Sequence, residues 1–316
     1  MRVLITGGAG FIGSHVVEVC IKAGHQVLVV DNLSRGRREN LPRDVPLVIM
    51  DIRDSVLSSV IADFRPEVII HQAAQVDVAA AVADPVEDAS VNVVGTLNVL
   101  QAAVQLGVRR VVVASSAAVY GEPRQLPVKE DHPLCPISPY GLSKMAVEAY
   151  TRWFGEKYGM EWVILRYGNV YGPRQTVVGE AGVVARFLAA MQSGYRPVIF
   201  GDGKQTRDFV HVFDVARANL FALTRGTGGI YNIGTGQEVS VLELYERLCQ
   251  LLEYQRELAY GPRRPGDIQR MALAIERAVD ELGWEPLISL SEGLKELVGQ
   301  MCTATLNRSP VPSRET

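Results

Sequence analysis

Two residues that could move a proton stand four positions apart near the middle of the chain. Tyr140 and Lys144 follow Pro139 at the predicted start of a helix, and this spacing places both side chains on one face, one turn apart. An ammonium near a phenol favours the phenolate and lowers its pKa from about 10. Such a tyrosine can act as a general acid or base, although the same spacing is also common on exposed helix surfaces.

A serine completes this candidate group. Residues 110–114 predict the next strand, and this strand delivers Ser115 and Ser116. Ser116 could then hydrogen-bond the same substrate oxygen that Tyr140 protonates or deprotonates.

The first residues of the chain carry a second pattern, that of a dinucleotide-binding turn. A short apolar strand at residues 2–6 runs into Gly7, Gly10 and Gly13, and residues 14–23 have helical periodicity. In such a turn one glycine makes the bend, one lets a pyrophosphate approach the backbone, and one lets the helix pack on the strand. The N-terminus of the helix then faces the phosphates.

An acidic residue follows the second predicted strand. Asp31 closes the run 26–30 and would accept hydrogen bonds from the adenosine ribose, which favours NAD over NADP. Arg35, Arg37 and Arg38 lie just beyond and could bind a 2′-phosphate, so the choice of cofactor stays open at this point.

Strands and helices alternate as far as about residue 172. This alternation predicts an α/β fold, a Rossmann-like doubly wound parallel sheet, with a smaller α/β substrate-binding domain after it. Because ligands bind at the carboxyl ends of the strands in such sheets, Ser116 and the glycine turn should share one edge. The predicted parts are a dinucleotide-binding domain at 1–172 with about 208–230 returning to it, a substrate domain at 173–207 and 231–303, and a disordered tail at 304–316.

Composition argues against several classes of protein. The 316 residues carry a net charge of −3, which gives no electrostatic case for nucleic acid or an anionic membrane. No apolar run reaches transmembrane length, and the chain opens directly into a strand without a signal peptide. Four scattered cysteines and five histidines without ligand spacing predict a reducing compartment and no metal site. We therefore expect a cytoplasmic protein.

Taken together, the motifs resemble the extended short-chain dehydrogenase/reductase family, of the NAD-dependent epimerase/dehydratase type. The resemblance spans nearly all of residues 1–300. Its matching segments are residues 6–13, 31–33, 51–54, 71–74, 92–96, 115–121, 140–144 and 207–212. The NAD contacts that it implies are Gly7, Gly10, Phe11, Ile12, Gly13, Asp31, Asn32, Asp51, Ile52, Ala73, Ala74, Asn92, Tyr140, Lys144 and Tyr167.

Two residues without chemistry narrow the resemblance. The related 4,6-dehydratases carry Thr-Asp-Glu at positions 116–118, and the decarboxylases of UDP-glucuronate typically keep a glutamate at position 118. This chain has Ala117 and Ala118 instead, and alanine can act as neither acid nor base. The chain thus most resembles the UDP-glucose 4-epimerases, which are isomerases of galactose metabolism.

The resemblance also implies a mechanism that interconverts UDP-glucose and UDP-galactose. Ser116, Tyr140 and Lys144 would be catalytic: Tyr140 takes the proton of the 4-hydroxyl, the hydride passes to NAD, and Ser116 binds the same oxygen. Lys144 lowers the pKa of Tyr140 and holds the nicotinamide ribose. The 4-keto sugar then rotates about its nucleotide and receives the hydride on its other face.

Further residues would hold the nucleotide while the sugar turns. By resemblance, Asn169, Arg207 and Arg264 contact the diphosphate, which suits arginine, and Asp267 contacts the uridine ribose. The base would lie near Val198 and Phe200. Met271 falls where related enzymes set the room for an N-acetyl group, and methionine is flexible. The preferred sugar therefore stays open.

Three alternative functions stay open, and the resemblance also implies an oligomeric state. The chain could act on UDP-N-acetylglucosamine or UDP-glucuronate, it could be a 4-keto reductase of the same family, or it could be a non-catalytic NAD-binding regulator. A regulator would usually lack Tyr140 or Lys144. The family resemblance implies a homodimer that packs the helices around residues 92–106 and 140–158 against their mates, although these apolar faces could equally belong to the internal core.

Overall fold

A computed structural model of the chain describes residues 1–176, 182–263 and 267–306, with residues 302–306 described as backbone only. The strands in chain order are β1 Arg2–Thr6, β2 Gln26–Asp31, β3 Leu47–Ile49, β4 Val68–His71, β5 Arg110–Ser116, β6 Glu161–Tyr167, β7 Asn169–Tyr171, β8 Val198–Phe200, β9 Thr206–Arg207, β10 Phe209–His211, β11 Gly229–Ile233, β12 Val239–Ser240 and β13 Ala259–Gly261. The α-helices are α1 Phe11–Lys22, α2 Leu57–Phe64, α3 Val78–Ala83, α4 Pro85–Ala89, α5 Gly95–Gln105, α6 Pro139–Tyr158, α7 Val183–Gln192, α8 Val212–Ala222, α9 Val241–Leu252 and α10 Leu290–Leu306.

Seven parallel strands form the central sheet, in the order β11-β6-β5-β4-β1-β2-β3. Runs of Val, Ile and Leu make up most of these strands because both faces of the sheet are covered. The strand β1 lies between β4 and β2, so the loops after β4 and β2 flank the glycine turn. The prediction of a doubly wound parallel sheet is confirmed.

The core lies in two layers, one on each face of the sheet. On one face α1 and α8 pack together, and their Val17 and Val215 join Ile5 of β1. On the other face α2, α5 and α6 pack, with Leu100 and Val147 buried among them. Helices on both faces fix the sheet rigidly, so its carboxyl edge can hold side chains in set positions.

A second apolar cluster forms beside that edge. The helices α7, α9 and α10 contribute Phe187, Leu244, Leu248 and Leu294 to it, all fully buried. Short two-stranded pairings, β8 with β13 and β9 with β12, complete this part. No described helix is long and apolar enough to cross a membrane.

Two expectations differ from the structure, and one helical stretch is irregular. Within residues 84–106 a π-helical segment, Ser90–Val94, joins α4 to α5. The expected domain boundary at residue 230 falls inside β11, which completes the edge of the main sheet, and Trp284 is buried in the sheet's core as well. The expected disordered tail begins at residue 304, but α10 runs to Leu306; residues 307–316 lie outside the described part.

Candidate active site

A cleft of about 1580 Å³ opens at the carboxyl edge of the sheet, between the sheet and the second cluster. Nearly all of the predicted site residues line it. They are Gly7, Gly10, Phe11, Ile12, Gly13, Asp31, Asn32, Asp51, Ile52, Ala73, Ala74, Ser116, Tyr140, Lys144, Tyr167, Asn169, Val198, Phe200, Arg207 and Asp267. The fold therefore brings together residues that are up to 260 positions apart.

Two predicted residues stand apart from this set. Asn92 does not line the cleft, and its side chain is buried and holds the loop after β4: it accepts from the backbone N–H of Gln75 at 2.8 Å and donates to the Gln75 carbonyl at 2.9 Å. Gln75 itself lines the cleft, and the predicted contact of Asn92 with NAD stays a prediction. Arg264 lies outside the described residues.

The glycine turn is shaped to receive a dinucleotide. Gly7 has φ +67°, and a β-carbon there would lie 2.6 Å from the backbone N of Ala73. A β-carbon at Gly13 would lie 2.1 Å from the carbonyl oxygen of Gly7. Gly10 begins α1 without any side-chain cap, so the first N–H groups of the helix are left for a ligand. The residues present therefore fit the pyrophosphate of NAD.

The part of the cleft where the sequence predicts the adenosine is acidic, and its carboxylates accept several hydrogen bonds. Asp31 is 7% exposed, and its carboxylate accepts from the N–H groups of Ala9 and Leu33 at 2.9 and 2.8 Å. Burial raises the pKa of Asp31, and these two hydrogen bonds oppose that rise. Asn32 donates to Asp51 at 2.9 Å. Each carboxylate oxygen of Asp31 keeps a lone pair that a ribose hydroxyl could use.

An ion pair crosses this end of the cleft. Arg35, in the loop after β2, lies 3.3 Å from Asp77, in the loop after β4. Since β1 lies between these two strands, the pair bridges the space above the glycine turn. Arg38 instead donates to the carbonyl of Arg43. Two of the three arginines that could have met a 2′-phosphate therefore have other partners.

The three predicted catalytic residues lie on two adjoining elements. Ser116 is the last residue of β5, and Tyr140 and Lys144 lie in the first turns of α6. That helix begins where it does because Ser138 accepts from the Gly141 N–H at 3.2 Å and Pro139 occupies its first position, which are favoured residues there. All three side chains line the cleft.

Lys144 is held in place as a buried cation. It is 5% exposed, and its Nζ donates to the carbonyl of Ala114 at 3.0 Å. Burial lowers the pKa of Lys144 to about 8, while Asp88 and Glu148 act to raise it. The ammonium therefore remains largely charged at neutral pH, and a cation at this position favours a nearby phenolate.

The turn after Ser116 carries no acid or base. Residues Ala117–Tyr120 form a 3₁₀ turn, in which the Ala118 N–H donates to the Ser116 Oγ at 3.2 Å. Gly141 lets α6 approach this turn, since a β-carbon there would lie 2.7 Å from the Ala118 carbonyl. The groups next to the serine are therefore methyls and backbone.

The nucleotide end of the cleft is built around Arg207. Its guanidinium donates to the carbonyls of Thr206 and Ile268, both at 2.7 Å, and to the Asp267 carboxylate. Burial lowers the pKa of Arg207, although Asp267 opposes this. Met271 is 2% exposed and lines the cleft nearby. The sequence-predicted pair Arg207 and Asp267 is thus in direct contact.

Several supporting residues were not predicted. Asp208 is fully buried and accepts from the backbone N–H groups of Leu273, Thr235 and Gly236 at 2.7–3.0 Å, which fixes the neighbourhood of Arg207. The hydroxyl of Tyr167 accepts from Gln72 and Asn219 at 3.0 and 2.8 Å. The signal for Asp208 was its place between Arg207 and the apolar residues Phe209 and Val210, where a buried carboxylate must find donors.

His71 lies next to the cleft without opening into it. Its ring contacts the hydroxyls of Thr6 at 2.6 Å and Thr96 at 2.9 Å, and burial lowers its pKa to about 3. A ring that stays neutral and has a partner at both nitrogens is a structural residue. Among the described residues no group of His, Cys, Asp or Glu could hold a metal ion.

Comparisons with known proteins agree with this geometry. The model of the NAD dependent epimerase/dehydratase family matches residues 3–234. The UDP-glucose 4-epimerase of Mycolicibacterium smegmatis is 44% identical over 305 residues, which cover 94% of this chain and 97% of that protein.

Solved structures agree as well. The UDP-glucose 4-epimerase of Thermotoga maritima with UDP-glucose has a TM-score of 0.94 at 44% identity, covering 97% of this chain and 100% of that one. The Thermus thermophilus UDP-glucose 4-epimerase in complex with NAD has a TM-score of 0.92 at 43% identity, covering 96% and 100%. The chain therefore belongs to the NAD-dependent epimerase/dehydratase family.

Proposed function

We propose that this protein is an NAD-dependent UDP-sugar 4-epimerase that interconverts UDP-glucose and UDP-galactose. The observation that carries the proposal is which side chains surround Ser116 in the cleft. Tyr140 and Lys144 share its cleft with the glycine turn, whereas Ala117 and Ala118 supply no carboxyl group. Hydride transfer needs the first set alone, while dehydration needs an added acid and base. The names of the relatives and structural neighbours support the same activity.

The chain's own residues would handle the proton and the oxygen. The glycine turn and Asp31 would hold NAD, which would supply a reversible hydride acceptor for C4 of the sugar. Tyr140 holds the proton of the C4 hydroxyl, Ser116 hydrogen-bonds that oxygen, and the Lys144 cation keeps the phenol ready to ionise. Because the cofactor ends unchanged, an enzyme that retains NAD suits this chemistry.

The nucleotide must be held while the 4-keto sugar rotates. We propose that Arg207, Asn169 and Arg264 hold the diphosphate and that Asp267 holds the uridine ribose. Arg207 already faces Asp267 across a short contact, so a bound diphosphate would take over part of this guanidinium's hydrogen bonding. The edge strand β8 then offers Val198 and Phe200 to the base.

A second candidate substrate is UDP-N-acetylglucosamine. Met271 belongs to an apolar cluster with Ala117 and Ile268 at the wall of the cleft. Methionine changes rotamer readily, so this wall could recede to admit an N-acetyl group. Glucuronate is less well supported, and 4-keto reduction would consume a reduced cofactor in every turnover.

The two parts of the chain divide this work. We propose that the sheet with residues 1–172 and about 208–233 binds NAD, and that the second cluster binds the nucleotide sugar. The predicted homodimer would pack α5 and α6 against their mates, since Val94, directly before α5, and Leu142 and Trp153 of α6 are each about half exposed. Scattered cysteines favour a cytoplasmic location.

The test is a comparison of substrates and variants. Purified protein is incubated with UDP-galactose, UDP-N-acetylgalactosamine and UDP-glucuronate in parallel, and the sugars are separated by chromatography. We expect UDP-glucose from the first at the highest rate. The double variant Ser116→Ala with Tyr140→Phe should lose turnover and still bind NAD; retained turnover would refute the assigned roles.

A further inference from the structure

A buried ion pair lies beside Ser116, and the proposed reaction does not use it. Glu148 on α6 and Arg166 on β6 meet through two hydrogen bonds, Nε to Oε1 at 2.8 Å and one terminal nitrogen to Oε2 at 2.6 Å. Their side chains are 4% and 2% exposed. A buried ion pair stabilises the fold little more than apolar residues of the same size would. Stability alone therefore does not explain why this pair is present.

The helix α6 holds the strand that carries Ser116 through two side chains. Lys144 and Glu148 stand one turn apart on α6, and they hold consecutive residues of β5. The Nζ of Lys144 donates to the carbonyl of Ala114 at 3.0 Å, and the hydroxyl of Ser115 donates to Glu148 at 2.5 Å. Ser116 is the next residue, so α6 sets the direction in which this serine leaves the sheet.

Arg166 holds the other side of Ser116. It lies opposite Ser115 in the register of β5 and β6, and it donates to the hydroxyl of Tyr120 at 2.8 Å. Tyr120 ends the 3₁₀ turn that begins directly after Ser116, and its hydroxyl donates to Asn232 at 2.7 Å. Residues on both sides of the serine are therefore fastened to one ion pair.

We propose that Glu148 and Arg166 are positioning residues that set Ser116 against Tyr140 for the chemical step. This inference rests on the proposed function. Both residues act through others: Glu148 through Ser115 and the helix that carries Tyr140, and Arg166 through Tyr120. A misplacement of about 1 Å at a reacting centre lowers the rate by roughly a hundredfold, which is the scale of effect such a device prevents.

The same carboxylate acts on the charge of Lys144. The groups that face this ammonium are Asp88 on α4, Glu148 on α6 and the neutral His71 on β4. Burial lowers the pKa of Lys144, and the charges of Asp88 and Glu148 raise it. Loss of the Glu148 charge therefore lowers the pKa of Lys144 further. Since the cation is the useful form, activity would then fail at a lower pH on the alkaline side.

The test uses Glu148→Gln, and its control is a variant of another ion pair, which joins β5 and β6. Arg110 and Glu161, the first residues of β5 and β6, form another ion pair at the opposite end of the sheet, 2.7 Å apart and 3% and 34% exposed. For Glu148→Gln we expect kcat on UDP-galactose to fall roughly ten- to hundredfold, with KM within about twofold and the alkaline limb of the pH profile at lower pH. Glu161→Gln should lower the unfolding temperature and keep both kcat and the pH profile.

Ser115→Ala keeps the test decisive if Glu148→Gln does not fold. This variant removes the hydrogen bond from the Ser115 hydroxyl to Glu148 and leaves the ion pair intact. We expect kcat to fall roughly three- to tenfold. Wild-type kcat in Ser115→Ala, or in a folded Glu148→Gln, would overturn the proposal. An equal loss of kcat in Glu161→Gln would do so too, because it would show a general loss of sheet integrity.

A second readout does not depend on turnover. Relative to core amides elsewhere in the sheet, amide hydrogen exchange of residues 114–120 should be faster in Glu148→Gln and Ser115→Ala than in the wild type, and unchanged in Glu161→Gln. If the wild type failed to epimerise UDP-galactose but showed this exchange pattern, the proposed function alone would fall. Unchanged exchange in Glu148→Gln and Ser115→Ala would overturn the positioning role.

Discussion

His71 should make the fold sensitive to acid. The ring is 3% exposed, bonded to Thr6 and Thr96, and its pKa is lowered from 6.5 to about 3 because burial disfavours the charged form. We consider the substitution His71→Gln, which keeps a polar group of similar reach and removes the titration. The expected result is a fold that is less stable near neutral pH but loses less stability on acidification.

The magnitude follows from the two pKa values. As pH falls below 6.5, the unfolded chain binds a proton at His71 that the folded chain refuses until about pH 3. The unfolded state therefore binds more protons throughout this window, and stability is lost as pH falls. At about pH 5 the loss from this one group is about 2 kcal/mol relative to neutral pH, since each pH unit below 6.5 contributes about 1.4 kcal/mol.

Urea denaturation followed by circular dichroism, near pH 7 and near pH 5, measures this loss. The wild type should lose about 2 kcal/mol more than His71→Gln between the two pH values. Thr96→Val is the matched control, because it breaks a hydrogen bond of the same ring without removing the titrating group. It should be destabilised at both pH values and keep the wild-type difference between them. Equal acid sensitivity in the wild type and His71→Gln would refute the reasoning.

Three further predictions concern the cleft. Gly13→Ala should weaken NAD binding roughly tenfold or more by calorimetry, because its β-carbon would lie 2.1 Å from the Gly7 carbonyl; unchanged affinity would contradict the assigned turn. Arg35→Ala should release NAD roughly two- to fivefold faster, as expected for losing a partly exposed pair with Asp77, while kcat at saturating NAD stays constant. Met271→Ala should raise the ratio of turnover on UDP-N-acetylgalactosamine to that on UDP-galactose, at a stability cost of about 2–5 kcal/mol, and Met271→Leu should not raise this ratio.

Local patterns were enough to predict the sheet and the contents of the cleft. The strands are mostly runs of Val, Ile and Leu, as expected when both faces of a sheet are covered, so their type follows from composition. Parallel strands place their carboxyl ends at one edge of the sheet. This rule alone predicted that Ser116 and the glycine turn share that edge. The second part was harder to predict because its strands are only two or three residues long, too short for a periodic pattern.

Contacts between distant polar residues could not be predicted in the same way. The amide of Asn92 holds the backbone of Gln75, a partner that sequence spacing does not reveal. Glu148 and Arg166 belong to separate elements and meet only because α6 packs across β5 and β6. The partner of a buried charge depends on tertiary packing, whereas its need for a partner is visible in the sequence.

The central claim is that the hydride leaves C4 of the sugar and returns to the same carbon within one protein molecule. UDP-galactose carrying deuterium at C4 tests this directly, with the product analysed by mass spectrometry and NADH followed by absorbance. We predict that UDP-glucose forms with its deuterium retained at C4 and with no net NADH. Product that has lost the label, NADH accumulating in step with turnover, or no UDP-glucose at all would contradict the account.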